Sequence, residues 1–182
     1  MSEKKPVQLH IGCGEKYIPG FLHIDVRKFP HIDYVASADK LDMFKDRSVD
    51  LIYCAHVLEH FRRPKTKEVL AEWYRVLKKG GTLRVAVPDF ESLCEIYRET
   101  EDLTLILGPL VGRQDYPENT HYMVFDFASL KKMLEEVGFK NVRRYDWRKT
   151  IHKDYDDYSQ AYIPHMDKEK GRLISLNVEA DK

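Results

Sequence analysis

Apolar residues recur along this chain in two periods, and the alternation between them lays out the fold. Residues 7–11 and 21–26 read as short buried strands, and residues 32–35 as a third. Val49-Asp50-Leu51-Ile52-Tyr53-Cys54-Ala55 is an almost continuous apolar run, the pattern of a central strand buried on both faces. Behind Pro64, the residues Val69, Leu70, Trp73, Val76 and Leu77 fall at helical spacing, with Lys67, Glu68, Glu72, Arg75 and Lys78 opposite. Lys78-Lys79-Gly80-Gly81 is the expected end of that helix, with glycine for a left-handed cap. Residues 82–87 alternate and stop at Pro88, giving a fifth strand, and Asp89 is placed to cap a helix over residues 90–98. Phe127, Leu130, Met133, Leu134 and Val137 mark another helix ended by Gly138, and residues 141–147 and 172–179 are a sixth and a seventh strand.

Strands alternating with helices predict an α/β fold with a largely parallel sheet. One feature resists it. Only Glu15-Lys16-Tyr17-Ile18-Pro19-Gly20 separates the first turn from the second strand, whereas a parallel crossover ordinarily takes about a dozen residues. At most one helical turn fits there. Two further connections are long: residues 99–125, whose apolar piece 103–111 is broken by Gly108-Pro109, and residues 148–171, rich in tyrosine and histidine. Long connections of this kind are usually functional, and both are expected on the substrate side.

The chain of 182 residues suits a single domain spanning 1–182, behind a polar tail at 1–6. Thirty basic residues balance thirty acidic ones, so no global field favours nucleic acid or an anionic membrane, and neither is expected as a partner. No stretch has the length of a membrane span or the make-up of a signal peptide. Cys13, Cys54 and Cys94 have no paired spacing and read as free thiols, which points to a cytoplasmic protein.

In parallel sheets ligands bind beyond the carboxyl ends of the strands. Gly12-Cys13-Gly14, Asp25, Asp39, His56 and Asp89 all fall at such ends. Glycines let backbone approach a ligand closely, and a carboxylate closing the second strand is placed to take ribose hydroxyls. The pattern is that of a nucleoside site. A dinucleotide fits less well, because a pyrophosphate needs a full helix N-terminus after the glycines.

With these pieces in place the chain resembles the class I S-adenosylmethionine-dependent methyltransferases, in a small variant with a shortened first helix. The resemblance rests on Leu9-His10-Ile11-Gly12-Cys13-Gly14, on Asp25, on Asp46-Arg47-Ser48-Val49-Asp50, on His56-Val57-Leu58-Glu59-His60, on Arg75-Val76-Leu77-Lys78-Lys79-Gly80-Gly81 and on Leu134-Glu135-Glu136-Val137-Gly138-Phe139. It implies a three-layer Rossmann-like sandwich with a mostly parallel seven-stranded sheet and an antiparallel last strand. It implies S-adenosylmethionine as cofactor: Gly12, Cys13 and Gly14 at its methionine part, Asp25 at the ribose, Ala38 and Asp39 at the adenine, Ala55 and His56 beside the sulfonium. The sequence departs from the family in lacking a third glycine and in placing Asp25 only 13 residues after Gly12.

Methyl transfer to an alcohol needs the proton removed, and a histidine titrating near neutral pH suits that role. His121 is the favoured candidate, with His56 beside it; His152, Asp115 and Asp157 are others. Arg113, Asp115, Tyr122, Tyr158 and Tyr162 are expected acceptor contacts. The acceptor is expected to be a polar small molecule or a glycan, methylated at oxygen. Two other readings compete: a non-catalytic domain that only binds the nucleoside, and a zinc hydrolase suggested by His56-Val57-Leu58-Glu59-His60 as H-x-x-E-H. The second calls for a third ligand in a larger scaffold, and no metal is assigned.

Overall fold

Alternate side chains along each strand meet different surroundings, and that difference sets the layers. The computed structural model describes residues 5–182, so most of the expected polar tail (1–4) lies outside the described residues. The strands are β1 (Gln8–Ile11), β2 (Leu22–Asp25), β3 (Tyr34–Val35), β4 (Val49–Ala55), β5 (Leu77–Pro88), β6 (Lys140–Arg144), β7 (Tyr162–Ile163), β8 (Arg172–Leu173) and β9 (Ser175–Asp181). The main sheet has seven strands in the order β3-β2-β1-β4-β5-β9-β6, and β9 runs antiparallel to both neighbours. β7 and β8 form a separate two-stranded hairpin. The four α-helices are α1 (Arg63–Val76), α2 (Phe90–Thr100), α3 (Thr104–Val111) and α4 (Phe127–Val137).

One face of the sheet is apolar. Leu9, Ile11, Ile24, Ile52, Cys54, Leu83, Val85 and Val178 pack there against Val69, Leu70 and Trp73 of α1 and Leu130 and Leu134 of α4. Each fully buried aliphatic side chain contributes about 1.5–3 kcal/mol, so this layer carries most of the stability. The Trp73 indole keeps its donor satisfied by reaching the Ala38 carbonyl at 2.7 Å.

The other face carries His10, His23, Tyr53, Arg84, Asn177 and Glu179, and it has no crossover helix. No helix forms between β1 and β2; Ile18 and Phe21 of that short connection pack on Tyr53 instead. Residues 145–161 supply the rest of the cover. The His152 ring stacks on Tyr53 with centroids 3.8 Å apart, the Tyr53 hydroxyl donates to Asp157 Oδ2 at 2.5 Å, and Asn177 Nδ2 donates to the Ser159 carbonyl at 2.8 Å. The abbreviated crossover is therefore compensated by a loop borrowed from near the end of the chain.

Several boundaries differ from those expected. α1 ends at Val76 with Leu77 in an extended conformation, so Gly80-Gly81 does not cap it. The glycines lie in the irregular start of β5, where its register against β4 shifts between Val49 and Leu51. α3 runs through Gly108-Pro109, with Pro109 in its last turn, where the missing amide costs one intrahelical hydrogen bond. β9 starts later than expected because Arg172-Leu173 pairs with β7. The Asp89 and Gly138 caps form as expected. Among the described residues no helix is long and apolar enough to cross a membrane.

Candidate active site

The carboxyl ends of β1 to β5 share one edge, and Gly12, Cys13, Gly14, Asp25, Ala55 and His56 lie along it. Gly12 has φ +65°, and its amide donates to the Ile24 carbonyl at 2.7 Å, which folds the turn against β2. The Gly14 amide and the Arg27 amide each donate to a separate oxygen of Asp25, both at 2.8 Å. Asp25 is buried, yet each oxygen keeps lone-pair capacity beyond those bonds. Cys13 is buried and its thiol is pushed up to about 12 by burial and by the Asp25 charge, so it is no nucleophile.

Arg27 was not foreseen. Its guanidinium lies 5.1 Å from the ring centres of both Phe29 and Tyr116, which draws the connection after α3 over the Gly14–Asp25 turn. Ala38 is buried with its carbonyl held by Trp73. Asp39 accepts from the Ser37 hydroxyl and lies 3.1 Å from Lys65 Nζ. Burial alone would raise its pKa, but these two partners outweigh it and hold the carboxyl below the usual range.

Beyond Ala55, His56 takes the left-handed conformation at φ +55°, rare for a residue with a side chain. Its Nε2 is 3.2 Å from Ser175 Oγ and its Nδ1 is 3.2 Å from Glu59 Oε1. Leu58–His60 is a 3₁₀ turn and α1 begins only at Arg63. His56 and His60 therefore do not share the helical face that the H-x-x-E-H reading requires. Glu59 is fully buried, and among the described residues neither carboxylate oxygen has an aligned hydrogen-bond partner.

His121 joins this group from far along the chain. The Tyr122 and Met123 amides both donate to the Glu59 carbonyl, at 2.8 and 3.2 Å, and pin residues 120–123 beside the 3₁₀ turn. Gly112 permits the approach: it has φ +79°, and a Cβ there would overlap the Asn119 carbonyl. The His60 and His121 rings meet edge to face, with centroids 4.8 Å apart. His60 Nδ1 donates to the Thr120 carbonyl at 3.2 Å, and His121 Nδ1 to the Pro109 carbonyl at 2.9 Å. Each ring is left with a lone pair on Nε2. Burial holds the His121 imidazole below its usual pKa, so it is neutral at pH 7.

The expected acceptor contacts scatter. The Tyr158 ring lies 5.6 Å from that of His56, and Tyr122 follows the pinned His121. Arg113 and Asp115 are exposed and 3.7 Å apart. Tyr162 does not fit the role: it is buried, and its hydroxyl accepts from Arg148 Nη2 at 2.9 Å and Trp147 Nε1 at 3.3 Å. His152 and Asp157 are likewise taken up beneath the sheet by Tyr53. Ser175, Arg27 and Tyr116 carry no signal in the sequence, whereas Glu59 and His60 stand in its H-x-x-E-H motif without their grouping with His121. Two cavities of about 350 and 500 Å³ lie at other places, one along Asp50, Thr82 and Glu179, the other between α2, α3 and the β7–β8 hairpin.

A family model described as "Methyltransferase domain" matches residues 13–85, which run from the glycine turn through β5. A methyltransferase structure from Archaeoglobus fulgidus superposes with a TM-score of 0.60 at 17% identity, over 97% of this chain and 86% of that one. This is the class I methyltransferase fold. A Burkholderia thailandensis N1-methyltransferase, solved with 1,6-didemethyltoxoflavin and S-adenosylhomocysteine, has the same fold at a TM-score of 0.58 and 15% identity, over 98% and 72% of the two chains. In sequence the chain is 29% identical to the demethylmenaquinone methyltransferase of Renibacterium salmoninarum over 133 residues, 68% of this chain. It spans little more than half the length of the first curated relatives it matches, 58% of one and 54% of this enzyme. The class I fold accounts for the strand order and the antiparallel β9, and Gly12 to Gly14 and Asp25 lie at the carboxyl ends of β1 and β2.

Proposed function

We propose that the chain is an S-adenosylmethionine-dependent methyltransferase acting on an oxygen of a polar small molecule or sugar. The observation that carries this reading is the buried Asp25 carboxylate, fixed by the Gly14 and Arg27 amides and still able to accept two hydroxyls. That donor set fits a ribose. Gly12, Cys13 and Gly14 then offer backbone to the methionine part, Ala38 and Asp39 border the adenine, and Ala55 and His56 form the floor beside the reacting methyl. Bound S-adenosylmethionine supplies an electrophilic methyl group whose departure leaves a neutral thioether.

The chain's own contribution is placement and proton handling. Tyr158 and Tyr122, with Arg113 and Asp115 further out, border the side from which an acceptor approaches. In-line placement of the acceptor oxygen accounts for most of the acceleration, because effective molarities of well-oriented groups are large. The acceptor hydroxyl meets His121, whose Nε2 lone pair is free and whose ring is kept neutral by burial. A fully buried carboxylate at this edge, Glu59 with His56 Nδ1 3.2 Å away, favours an enzyme over a domain that only binds the nucleoside.

Calorimetry with S-adenosylmethionine and S-adenosylhomocysteine tests the reading. Both are expected to bind one to one. Asp25→Ala should weaken binding by more than tenfold, since hydrogen bonds to a charged group are worth about 1.5–3 kcal/mol each. Binding of neither compound would sink the proposal. His121→Ala, assayed with any acceptor that turns over, should lower kcat by roughly 10²–10⁴ while S-adenosylhomocysteine binding is retained. Unchanged turnover would remove His121 from the chemistry.

A further inference from the structure

Glu59 is the most anomalous group in the molecule. Its carboxylate is wholly shielded from solvent, and neither oxygen accepts a hydrogen bond from any described residue. A carboxylate left in that state costs several kcal/mol unless a cation balances it. His56 approaches from one side only, at 3.2 Å from Oε1 and out of line for a hydrogen bond. His121, on another side, directs its Nδ1 to the Pro109 carbonyl and not to Glu59. The fold nevertheless goes to some length to assemble this spot, clamping residues 120–123 onto the Glu59 carbonyl with two amides.

One oxygen of Glu59 and one ring nitrogen each of His60 and His121 lie within 4.8 Å of one another. Both histidines spend Nδ1–H on a backbone carbonyl, Thr120 for His60 and Pro109 for His121. A carbonyl can only accept, so both rings are fixed in the tautomer that leaves Nε2 as a lone pair. A backbone carbonyl holding the far nitrogen is the usual support of a metal-bound imidazole.

We propose that Glu59, His60 and His121 bind a divalent transition-metal ion of the zinc class. Two imidazole nitrogens and one carboxylate suit zinc or its first-row neighbours, whereas magnesium and calcium take oxygen ligands. Ligands around a tetrahedral zinc sit about 3.4 Å apart at ordinary bond lengths of 2.0–2.2 Å. The three groups therefore need to draw in by about 1.4 Å at most, within reach of side-chain rotation. Three protein ligands leave a fourth position open, which is the form of a catalytic rather than a structural site. The arrangement differs from that of a zinc hydrolase built on H-x-x-E-H, because His56 supports Glu59 instead of binding the ion and His121 takes its place.

What the ion does there depends on the methyltransferase reading; the site itself does not. An acceptor hydroxyl on the open position would be acidified by the ion. The His121 lone pair would then hold the ion, and the hydroxyl's proton would pass to bulk solvent, so with a metal bound His121 is a ligand in place of the base it provides without one.

The full chain, freed of metal with a chelator, is titrated with zinc by calorimetry and with cobalt(II) by visible absorption. The expected result is one equivalent bound with sub-micromolar affinity, with cobalt bands of four- or five-coordinate intensity. His121→Ala and the isosteric Glu59→Gln should each weaken zinc by more than about 100-fold, since even second-shell changes cost 10–100-fold. Circular dichroism and thermal melts of both variants identify any that fails to fold. Zinc binding weaker than about 10 μM in the parent, or unaltered in both folded variants, overturns the site. The titration contains no cofactor, so zinc binding without S-adenosylhomocysteine binding would support this site and defeat the methyltransferase reading. The reverse result would do the opposite.

Discussion

Acidification from pH 7 to pH 4 is expected to remove about 6–7 kcal/mol of folding stability through His10 and His152 alone, about 3 kcal/mol each. Both are buried on the polar face of the sheet, and burial, first among the causes, lowers each to about 3. His10 is lowered further by His23, His152 and His31, and His152 by Arg84. The unfolded chain titrates these residues near 6.5. Between about pH 6.5 and pH 3 it therefore binds more protons than the folded chain, and stability is complete above this window and falls with pH inside it. His23, also lowered by burial and by His31 but raised in part by Asp33, acts in the same direction. A loss of this size is comparable to the whole stability of a typical domain, about 5–15 kcal/mol. Denaturant unfolding at a series of pH values checks it: the free energy should drop by about 2–3 kcal/mol per pH unit between pH 6 and pH 4. His152→Phe keeps the ring on Tyr53 and removes one titrating group, so it should roughly halve that slope. A slope unaffected by the substitution would show that His152 is not held neutral by the fold.

The same polar face shows why part of this architecture could be read from sequence and part could not. Buried strands announce themselves through short apolar runs, and the glycine turn and Asp25 are legible because they stand at the ends of such runs. α4 was legible to the residue, since its apolar stripe and Gly138 agree. The third layer was not. Its cover comes from His152 and Asp157, which reach Tyr53 from about a hundred positions away and carry no periodicity. Residues 148–171 read as a substrate loop for the same reason: tyrosines and histidines that close a sheet look, in sequence, like those that line a pocket. Gly80-Gly81 misled in a different way. Glycine suits both a helix cap and an irregular strand start, and only the pairing of Leu77 with Val49 decides between them.

The cluster at Glu59 marks the limit most clearly. His56, Glu59 and His60 were visible as a motif, but their geometry depends on a 3₁₀ turn that no local propensity specifies. His121 reaches them through backbone hydrogen bonds from Tyr122 and Met123, which leave no trace in side-chain pattern. Gly112 was the available signal: a glycine ending an apolar helix before a polar loop, where the chain passes too close to Asn119 for any side chain.

Gly12→Ala is expected to damage both halves of the site at once. A Cβ at Gly12 would overlap Val57 Cγ2, and φ at this position is +65°. Left-handed backbone costs a residue with a side chain about 1–2 kcal/mol, and overpacking a tight contact adds about 1–3 kcal/mol. The sum of about 2–5 kcal/mol corresponds to a fall in Tm of roughly 5–15 °C for a chain of this size. The functional loss follows from where Val57 stands. It lies between His56, already in an uncommon backbone conformation, and the 3₁₀ turn that carries Glu59 and His60. Pushing Val57 aside moves that turn, so a methyl added at the glycine turn disturbs the Glu59 cluster. The double variant Gly12→Ala with Val57→Ala separates the two costs. It removes the overlap and leaves only the backbone term, so the pair should show a coupling of about 1–3 kcal/mol in thermal or denaturant unfolding. S-adenosylhomocysteine binding, lost in the single variant, should recover in part. Simple additivity of the two changes would mean that Gly12 is required for its backbone conformation alone, and that the glycine turn and the Glu59 cluster are not mechanically joined through Val57.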